Sequence, residues 1–227
     1  MMDANLKGYI NRYDKWLKKN LISYASKVIP IGESLDNVKH IIPSQQAMQI
    51  LKQARLITVA KCVCREHYKN CDNPLEVCFI LNESGEKWIE KGLSRKIDLD
   101  EAKTILKQAN QNGLVHLTLY KPDHEVYALC SCCSCCCHDL QLVMKYGKDY
   151  VLTKSDYIAR DDPDKCIQCG QCAERCEFNA RKYNDKEMVY DPELCYGCGL
   201  CITTCPENAI IMTPKSDLSL VHNCKTV

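Results

Sequence analysis

The sequence has no apolar run long enough to cross a lipid bilayer. Its first twenty residues, MMDANLKGYINRYDKWLKKN, are charged throughout and lack an apolar core followed by a cleavage site, so we expect no export signal and a cytoplasmic location. Neither sign of charge is in excess, with 30 Lys and Arg against 29 Asp and Glu. Because basic blocks and interleaved aromatic residues are missing too, we expect no nucleic-acid partner.

Motifs that bind nucleotides or activate a nucleophile are also missing. The chain has only 9 Gly, and they form no phosphate-binding loop, flavin fingerprint or nucleophile elbow. No pair of carboxylates stands out as a general acid and base, so the sequence predicts no catalytic residue. It also lacks a DNA-binding helix pair, which counts against a transcriptional sensor.

Cysteine is the residue in excess, with 19 in a chain of 227 residues. Such a density is typical of secreted disulfide scaffolds and of metal proteins. Because a cytoplasmic chain keeps its thiols reduced, we expect metal binding rather than disulfides. Ten cysteines lie in residues 1–155 and nine in residues 156–227. The length suits two modest domains.

The strongest motif is an internal repeat near the C-terminus. CIQCGQCAERCEFNA begins at residue 166, and CYGCGLCITTCPENA begins at residue 195. Each unit has the spacing C-x2-C-x2-C-x3-C, which resembles bacterial-type ferredoxins with two [4Fe–4S] clusters, or cubanes. The resemblance covers residues 160–213 and implies a ferredoxin-like fold of two short hairpins and two helical turns. Structural zinc ribbons do not place three cysteines in such close succession.

The resemblance also implies the ligands of both cubanes, because in ferredoxins the fourth cysteine of each unit binds the other unit's cluster. The two ligand sets are Cys166, Cys169, Cys172 and Cys205 for the first cubane, and Cys195, Cys198, Cys201 and Cys176 for the second. Pro206 follows the last cysteine, as the pattern requires. Glu177 stands where the first unit usually has proline, and we expect this departure to alter the backbone there.

The first cysteine segment of the N-terminal part is AKCVCREHYKNCDNPLEVCFIL. Its four cysteines are candidate metal ligands, and together they can supply the thiolates of one cubane: Cys62, Cys64, Cys71 and Cys78. In an extended C-x-C segment both side chains point to one side, so both can reach one metal centre. A zinc site with the same ligands is an alternative. We interpret His67 as a surface residue.

The second segment, ALCSCCSCCCHDL, contains six cysteines within eight residues. All six are candidate ligands: Cys130, Cys132, Cys133, Cys135, Cys136 and Cys137. On a helix that begins near residue 132, Cys132 and Cys136 share one row and Cys133 and Cys137 share the next. Such rows suit a segment between two clusters or around one larger cluster. We expect His138 to cap the helix or to be solvated, and a role as an extra ligand is the alternative.

The content of the N-terminal sites stays open at this point. Ten cysteines can hold two cubanes with two thiols left over, or one cubane and a less usual cluster. Copper or zinc binding in the manner of metallothionein and sulfur transfer by reactive thiols are further alternatives. Disulfides are disfavoured, because adjacent cysteines seldom reach the required geometry.

Around these segments the sequence predicts an α+β domain over residues 1–155. Apolar residues recur with a helical period over residues 3–28, and IPSQQAMQILKQAR and IDLDEAKTILKQANQNG also predict helices. LITVAKC predicts a strand, and LVHLTLY and VYALC a hairpin. CCHDLQLVMKYG predicts a helix that ends at Gly147. A ferredoxin domain over residues 156–215 and a tail over residues 216–227 would follow.

The two N-terminal segments together resemble multi-cluster 4Fe–4S-binding proteins of anaerobes. The residues that carry the likeness are the C-x-C…C…C segment, the run CSCCSCCC and NGLVHLTLY, which leads into the run. In those proteins both segments are joined to a C-terminal ferredoxin pair. The resemblance therefore implies one or two iron–sulfur clusters beyond those of the ferredoxin domain, but no established biochemical role.

Electron transfer is the function that this pattern predicts, with single electrons relayed to a redox partner protein. Residues 157–227 carry 8 Lys and Arg against 11 Asp and Glu and are net negative, whereas the preceding part carries 22 against 18 and is net positive. We expect this division of charge to orient the chain against a partner. One alternative is a small reductase-type enzyme with a catalytic or non-cubane cluster in the N-terminal domain. Another is a redox or metal sensor, which the unpaired Cys224 would suit. The oligomeric state is not predicted.

Overall fold

The computed structural model describes residues 2–35, 47–122 and 125–216. Cys224 lies outside these ranges, and so does the first part of IPSQQAMQILKQAR, the segment that predicts the second helix. The architecture is mixed α/β. A seven-stranded sheet with helices on both faces is followed by a smaller unit that contains two two-stranded sheets. No helix in the described ranges is long and apolar enough to span a membrane.

The first part of the chain contains six helices and seven strands within the described residues. The helices are α1 (Ala4–Lys18), α2 (Ala47–Gln53), α3 (Val63–Tyr68), α4 (Asn82–Glu90), α5 (Leu99–Gln111) and α6 (His138–Tyr146). The strands are β1 (Ser26–Ile29), β2 (Ile57–Lys61), β3 (Glu76–Leu81), β4 (Ser94–Lys96), β5 (Val115–Tyr120), β6 (Val126–Cys132) and β7 (Leu152–Thr153). The smaller unit contains β8 (Tyr157–Asp161), α7 (Gln171–Glu174), β9 (Arg181–Asn184), β10 (Glu187–Tyr190) and β11 (Ile210–Pro214).

The large sheet has the strand order β4-β2-β3-β6-β5-β1-β7. All neighbours are antiparallel except β1 and β7. The predicted hairpin is confirmed as β5 and β6, and it lies in the middle of the sheet. As a result β6 pairs with β3, and Cys130 lies directly opposite Cys78. The sheet thus joins the two cysteine segments.

Local signals fix the helix ends. Asp98 accepts a hydrogen bond of 2.8 Å from the Glu101 N–H and caps α5, the helix that IDLDEAKTILKQANQNG predicts. Gly147, with φ of +61°, ends α6 in the left-handed conformation. The helix predicted over residues 3–28 is shorter, since α1 ends at Lys18. The following residues enter the sheet as β1 because β5 offers them a complete set of backbone partners.

The two faces of the sheet are covered by different helices. Val59, Phe79 and Leu129 project from one face and pack against α2 and α5. Because successive side chains of a strand alternate, Ile80 and Ala128 project from the other face, toward α1. This second face, with α1 and α6 beside it, forms the wall of the N-terminal cavity described below.

The smaller unit has the predicted ferredoxin-like character with one difference in its strand pairs. β9 and β10 form a hairpin, but the second pair joins β8 and β11, the first and last strands of the unit. The unit packs against the large sheet. The Ile31 N–H donates to the Cys198 carbonyl at 2.9 Å, and Arg175 Nη1 donates to the Gln111 carbonyl at 3.1 Å.

Candidate metal centres

The cysteines predicted for the first ferredoxin cubane line one small cavity of about 20 Å³. They are Cys166, Cys169, Cys172 and Cys205. Gly170 has φ of +80°, a conformation that a side chain would strain, so this glycine permits the tight loop. The Ala209 N–H donates to Cys205 Sγ at 3.3 Å. Backbone donors of this kind help to set cluster potentials.

The cysteines predicted for the second cubane line a separate cavity, also of about 20 Å³: Cys176, Cys195, Cys198 and Cys201. Burial raises the pKa of Cys201 to about 12 and that of Cys198 well above its usual value. Both thiols therefore stay protonated without metal and must release protons when they bind one. Each cavity collects three cysteines of one repeat and the fourth of the other, which supports the predicted ligand sets.

Arg181 lies between the two ferredoxin cavities and lines both of them. Its guanidinium is buried and forms hydrogen bonds of 2.8 and 2.5 Å with both carboxylate oxygens of Asp161. Nη1 also lies 3.9 Å from Cys172 Sγ. The buried cation thus has a matched counter-charge before any metal binds. Sequence reasoning missed Arg181, because no spacing rule marks it.

Four N-terminal cysteines form a compact group that we call the four-thiol set: Cys71, Cys133, Cys135 and Cys136. Their sulfurs all lie within 4.8 Å of one another. The contacts Cys71–Cys133 and Cys135–Cys136 both measure 3.7 Å. Around a tetrahedral ion with metal–sulfur bonds of about 2.3 Å, neighbouring sulfurs lie about 3.8 Å apart. The set therefore has the spacing of a single-ion site, whereas a cubane binds each thiolate through a different iron and needs a wider set.

The remaining six N-terminal cysteines form what we call the six-thiol ring. They are Cys62, Cys64, Cys78, Cys130, Cys132 and Cys137, and Cys78 lies opposite Cys130 across β3 and β6. All six line one cavity of about 280 Å³ between the sheet, α1 and α6. This cavity is more than ten times larger than either ferredoxin cavity.

The structure groups the N-terminal cysteines differently from the sequence analysis. The single set predicted for the first segment is wrong, because α3 follows Cys62 and carries the chain away, so that Cys71 joins the four-thiol set. The helix predicted to begin near residue 132 is wrong too. Strand β6 continues through Cys132, a turn covers residues 134–136, and α6 begins only at His138.

The alternation of β6 explains the observed division of the run. Cys130 and Cys132 project from the same face of the strand and join the ring. Cys133 projects from the opposite face, and the turn keeps Cys135 and Cys136 beside it in the four-thiol set. The run thus lies between two sites, as one interpretation of the sequence proposed. The cysteines on each side, however, are not those of the predicted helical rows.

His138 is buried, and it is the first residue of α6, with Cys137 at the N-cap. The expectation that His138 caps the helix or is solvated is therefore wrong. The His138 Nδ1 lies 3.2 Å from Cys64 Sγ, and its Nε2 lies 2.9 Å from the Asn5 amide nitrogen. Since that nitrogen can only donate, Nε2 accepts and Nδ1–H donates to the sulfur. Burial lowers the pKa of His138 to about 4, so the ring is neutral near pH 7. His67 is exposed, which confirms its interpretation as a surface residue.

Arg65 is a second buried arginine beside cysteine, and it lies between the four-thiol set and the six-thiol ring. Its Nη2 donates to the Ser131 carbonyl at 3.1 Å and lies 3.6 Å from Cys133 Sγ, while Nη1 donates to the Pro74 carbonyl. Among the described residues no carboxylate forms an ion pair with it, and its buried Nε has no hydrogen-bond partner. A buried charge is costly without a counter-charge, and the nearest side-chain group to this guanidinium is the Cys133 sulfur. No spacing rule marks Arg65 in the sequence.

Glu177, the residue that departs from the ferredoxin pattern, connects the two cysteine-rich parts. Its carboxylate accepts a hydrogen bond of 3.0 Å from the Ser134 N–H, within the cysteine run. Proline at this position could not accept such a bond. The departure from the pattern therefore has a structural role at the contact between the units.

Comparison with known proteins agrees with the geometry of the smaller unit. A family model described as a 4Fe-4S dicluster domain matches residues 159–212. No curated protein matches the chain. The chain is thus a mixed α/β protein that ends in a 4Fe–4S dicluster domain, preceded by a part with its own cysteine clusters.

Proposed function

We propose that the protein is an iron–sulfur electron carrier that relays single electrons through two ferredoxin cubanes and one further N-terminal cluster to a redox partner protein. The observation that carries this proposal is that the second ferredoxin cavity and the six-thiol ring border the same apolar cluster. Cys176 and Cys198 pack against the same apolar cluster that contains Cys132 and Cys137. Neighbouring cofactor sites in one buried region are what a relay requires.

The residues between these two sites are apolar and tightly packed. Phe178 and Tyr196 stack with their ring centres 4.3 Å apart, and Leu140 and Leu200 are fully buried in the same cluster. Such packing excludes water and holds both sites at a fixed separation. Iron–sulfur clusters supply reversible one-electron chemistry, and the chain tunes it through burial and N–H donors to sulfur.

The exit of the relay would lie at the first ferredoxin cavity. Among the cysteines of the described residues, Cys169 alone is exposed, and the neighbouring Ile167 is 59% exposed. The cysteines of the second ferredoxin cavity, the four-thiol set and the six-thiol ring are buried or half-buried. A redox partner that docks on this face would approach the first cubane, with the second cubane and the six-thiol ring behind it.

A reductase-type enzyme is a second candidate, favoured by the size of the N-terminal cavity. Besides the thiols, Tyr9, Arg12, Trp88 and Lys61 line it. A cluster that fills only part of this space would leave room for a small substrate near a cation.

A reductive titration followed by electron paramagnetic resonance separates the two functions. A relay predicts reversible one-electron signals, with magnetic interaction between the N-terminal cluster and the second cubane. Cys198→Ser should abolish that interaction, whereas Cys166→Ser, which alters the first cubane, should preserve it. The signals should not respond to carbon monoxide or nitrite. An N-terminal signal that changes with either molecule would favour the enzyme, and an absence of any N-terminal signal would contradict the relay.

A further inference from the structure

We propose that the four-thiol set binds one zinc ion in tetrahedral coordination, and that this ion fixes the loop between α3 and β3 to the cysteine run. The ion has a structural role and takes no part in electron transfer. The inference therefore goes beyond the proposed function and does not rest on it.

The first argument is the distance between the sulfurs. Cys71 Sγ lies 3.7 Å from Cys133 Sγ and 4.0 Å from Cys136 Sγ, and the sulfurs of Cys135 and Cys136 are 3.7 Å apart. Sulfurs that are bonded at about 2.3 Å to one tetrahedral ion lie about 3.8 Å from each other. Among the described residues, the cysteines of neither ferredoxin set are grouped within the 4.8 Å that contains the four-thiol set. The set thus has the spacing of a single ion and is more compact than the sets predicted for cubanes.

The second argument is the kind and number of the ligands. The group consists of four cysteines, two of them buried and two half-buried, and none of the four is in a disulfide. Four thiolates are the usual donors of a structural zinc site, and a complete set of four leaves no position open for water or a substrate. Tetrahedral thiolate coordination selects zinc or iron. Because the site is closed, we assign the ion that is typical of closed four-cysteine sites, which is zinc.

The third argument is the surroundings of the sulfurs. Four thiolates around a divalent ion leave a net negative charge, and a buried cation lies next to them. Arg65 is 1% exposed, and its Nη2 lies 3.6 Å from Cys133 Sγ. On another side, the Asn73 side-chain amide donates to Cys71 Sγ at 3.4 Å. Donors of this kind orient metal ligands and stabilise their charge.

The position of the four thiols indicates what the ion does. Residues 69–75, between α3 and β3, form neither helix nor strand and carry Cys71. The other three thiols lie where β6 gives way to α6. One direct contact already joins the two segments, since the Asn70 side-chain amide donates to the Cys135 carbonyl at 2.8 Å. An ion bound by all four thiols fixes the loop at this place, and its binding free energy adds to the stability of the folded chain.

The test is zinc and iron analysis of the anaerobically purified full chain, together with X-ray absorption at the zinc edge. The proposal predicts about one zinc per chain, surrounded by four sulfurs at about 2.3 Å. An absence of zinc, or zinc with oxygen or nitrogen ligands, would overturn the proposal. A single iron bound by four sulfurs in place of zinc would overturn the assignment of the ion. The relay through the ferredoxin cubanes is independent of all these results.

Two matched variants show whether the zinc is bound by the four-thiol set. Cys71→Ser should lose the zinc and keep its iron, whereas a loss of about four irons would indicate a cubane at this set and overturn the proposal. Cys132→Ser is the control, because Cys132 is adjacent to Cys133 but lines the six-thiol ring, and it should keep the zinc. Zinc that remains in Cys71→Ser would place the ion elsewhere. Far-ultraviolet circular dichroism reports folding, and if a variant does not fold, the zinc-edge spectrum of the unaltered protein still decides.

Limited proteolysis tests the structural role of the ion. Lys69 is exposed in the loop, and trypsin cleaves after lysine. Loss of the ion in Cys71→Ser should make cleavage after Lys69 faster than in the unaltered protein. Cleavage after Lys186, which is exposed in the turn between β9 and β10, serves as the internal reference and should not change. Equal rates at Lys69 in a variant that has lost its zinc would show that the ion does not fix the loop.

Discussion

In the dicluster domain each candidate site collects three closely spaced cysteines and one from the sister repeat, whereas the N-terminal sites combine two segments that are far apart in the chain. The C-x2-C-x2-C loop forms its site locally. The six-thiol ring exists only because β3 pairs with β6 and places Cys78 opposite Cys130. The first kind of site can be recognised from spacing, and the second depends on the register of a sheet.

The two buried arginines differ in a related way. Arg181 has a bidentate partner in Asp161, so the dicluster domain balances this charge with its own carboxylate. Arg65 contacts carbonyls and a cysteine sulfur and has no carboxylate partner among the described residues. The nearest sulfur to the Arg65 guanidinium is Cys133 Sγ, at 3.6 Å from Nη2.

The largest effects are expected from ligand substitutions, which test whether the regions are independent. Cys166→Ala should remove or convert the first ferredoxin cubane and leave the N-terminal metal content unchanged, because the sites share no ligand. Cys135→Ser should remove the metal of the four-thiol set and leave both ferredoxin cubanes. Metal analysis and reduced-state spectra measure both. A simultaneous loss of all cluster signals in either variant would show that the two regions are not separate units.

Arg65→Leu tests the difference between the arginines. Removal of one partner of a buried charged pair costs about 3–5 kcal/mol, so we expect the N-terminal sites to lose metal and the unfolding midpoint to fall. Arg181→Leu is the matched control and should affect the dicluster domain instead. Metal content per chain and thermal unfolding measure both variants. If the Arg65→Leu variant kept its full N-terminal metal content, the charge of Arg65 would not be needed for metal binding.

A smaller effect is expected at the contact between the units. Glu177→Ala deletes the acceptor for the Ser134 N–H and should cost about 1 kcal/mol of unfolding free energy, since that half-buried donor then loses its partner in the protein. Glu177→Gln keeps an acceptor oxygen and should recover most of the loss. Chemical denaturation measures the difference. Equal stability of all three proteins would show that the contact is not maintained in solution.

The smallest effect is expected from the donor to Cys64. His138→Phe removes the Nδ1–H donor while keeping an aromatic ring against Tyr9, whose ring centre lies 3.9 Å away. Loss of one hydrogen bond of about 1 kcal/mol should lower the N-terminal reduction potential by roughly 40 mV. Potentiometric titration measures the shift, and the ferredoxin potentials serve as the control. A shift of the ferredoxin signals alone would contradict this assignment.

The sequence predicted the features that depend on local spacing. The repeat predicted the contents of both ferredoxin cavities, and the alternation and cap patterns predicted the hairpin, α5 and α6. The division of the N-terminal cysteines could not be predicted, because it depends on where β6 ends and on which strand pairs with it. A shift of the β6 pairing register by one residue would exchange the faces of Cys132 and Cys133. Arg65 and Arg181 were missed because no spacing or periodicity in the sequence distinguishes a buried arginine from an exposed one.

Diffraction from a crystal of the anaerobically purified protein, recorded at the iron absorption edge, tests the central claim most directly. We expect anomalous iron density in three places: two compact peaks in the dicluster domain, and a third peak within the six-thiol ring. Iron density confined to the dicluster domain would contradict the account.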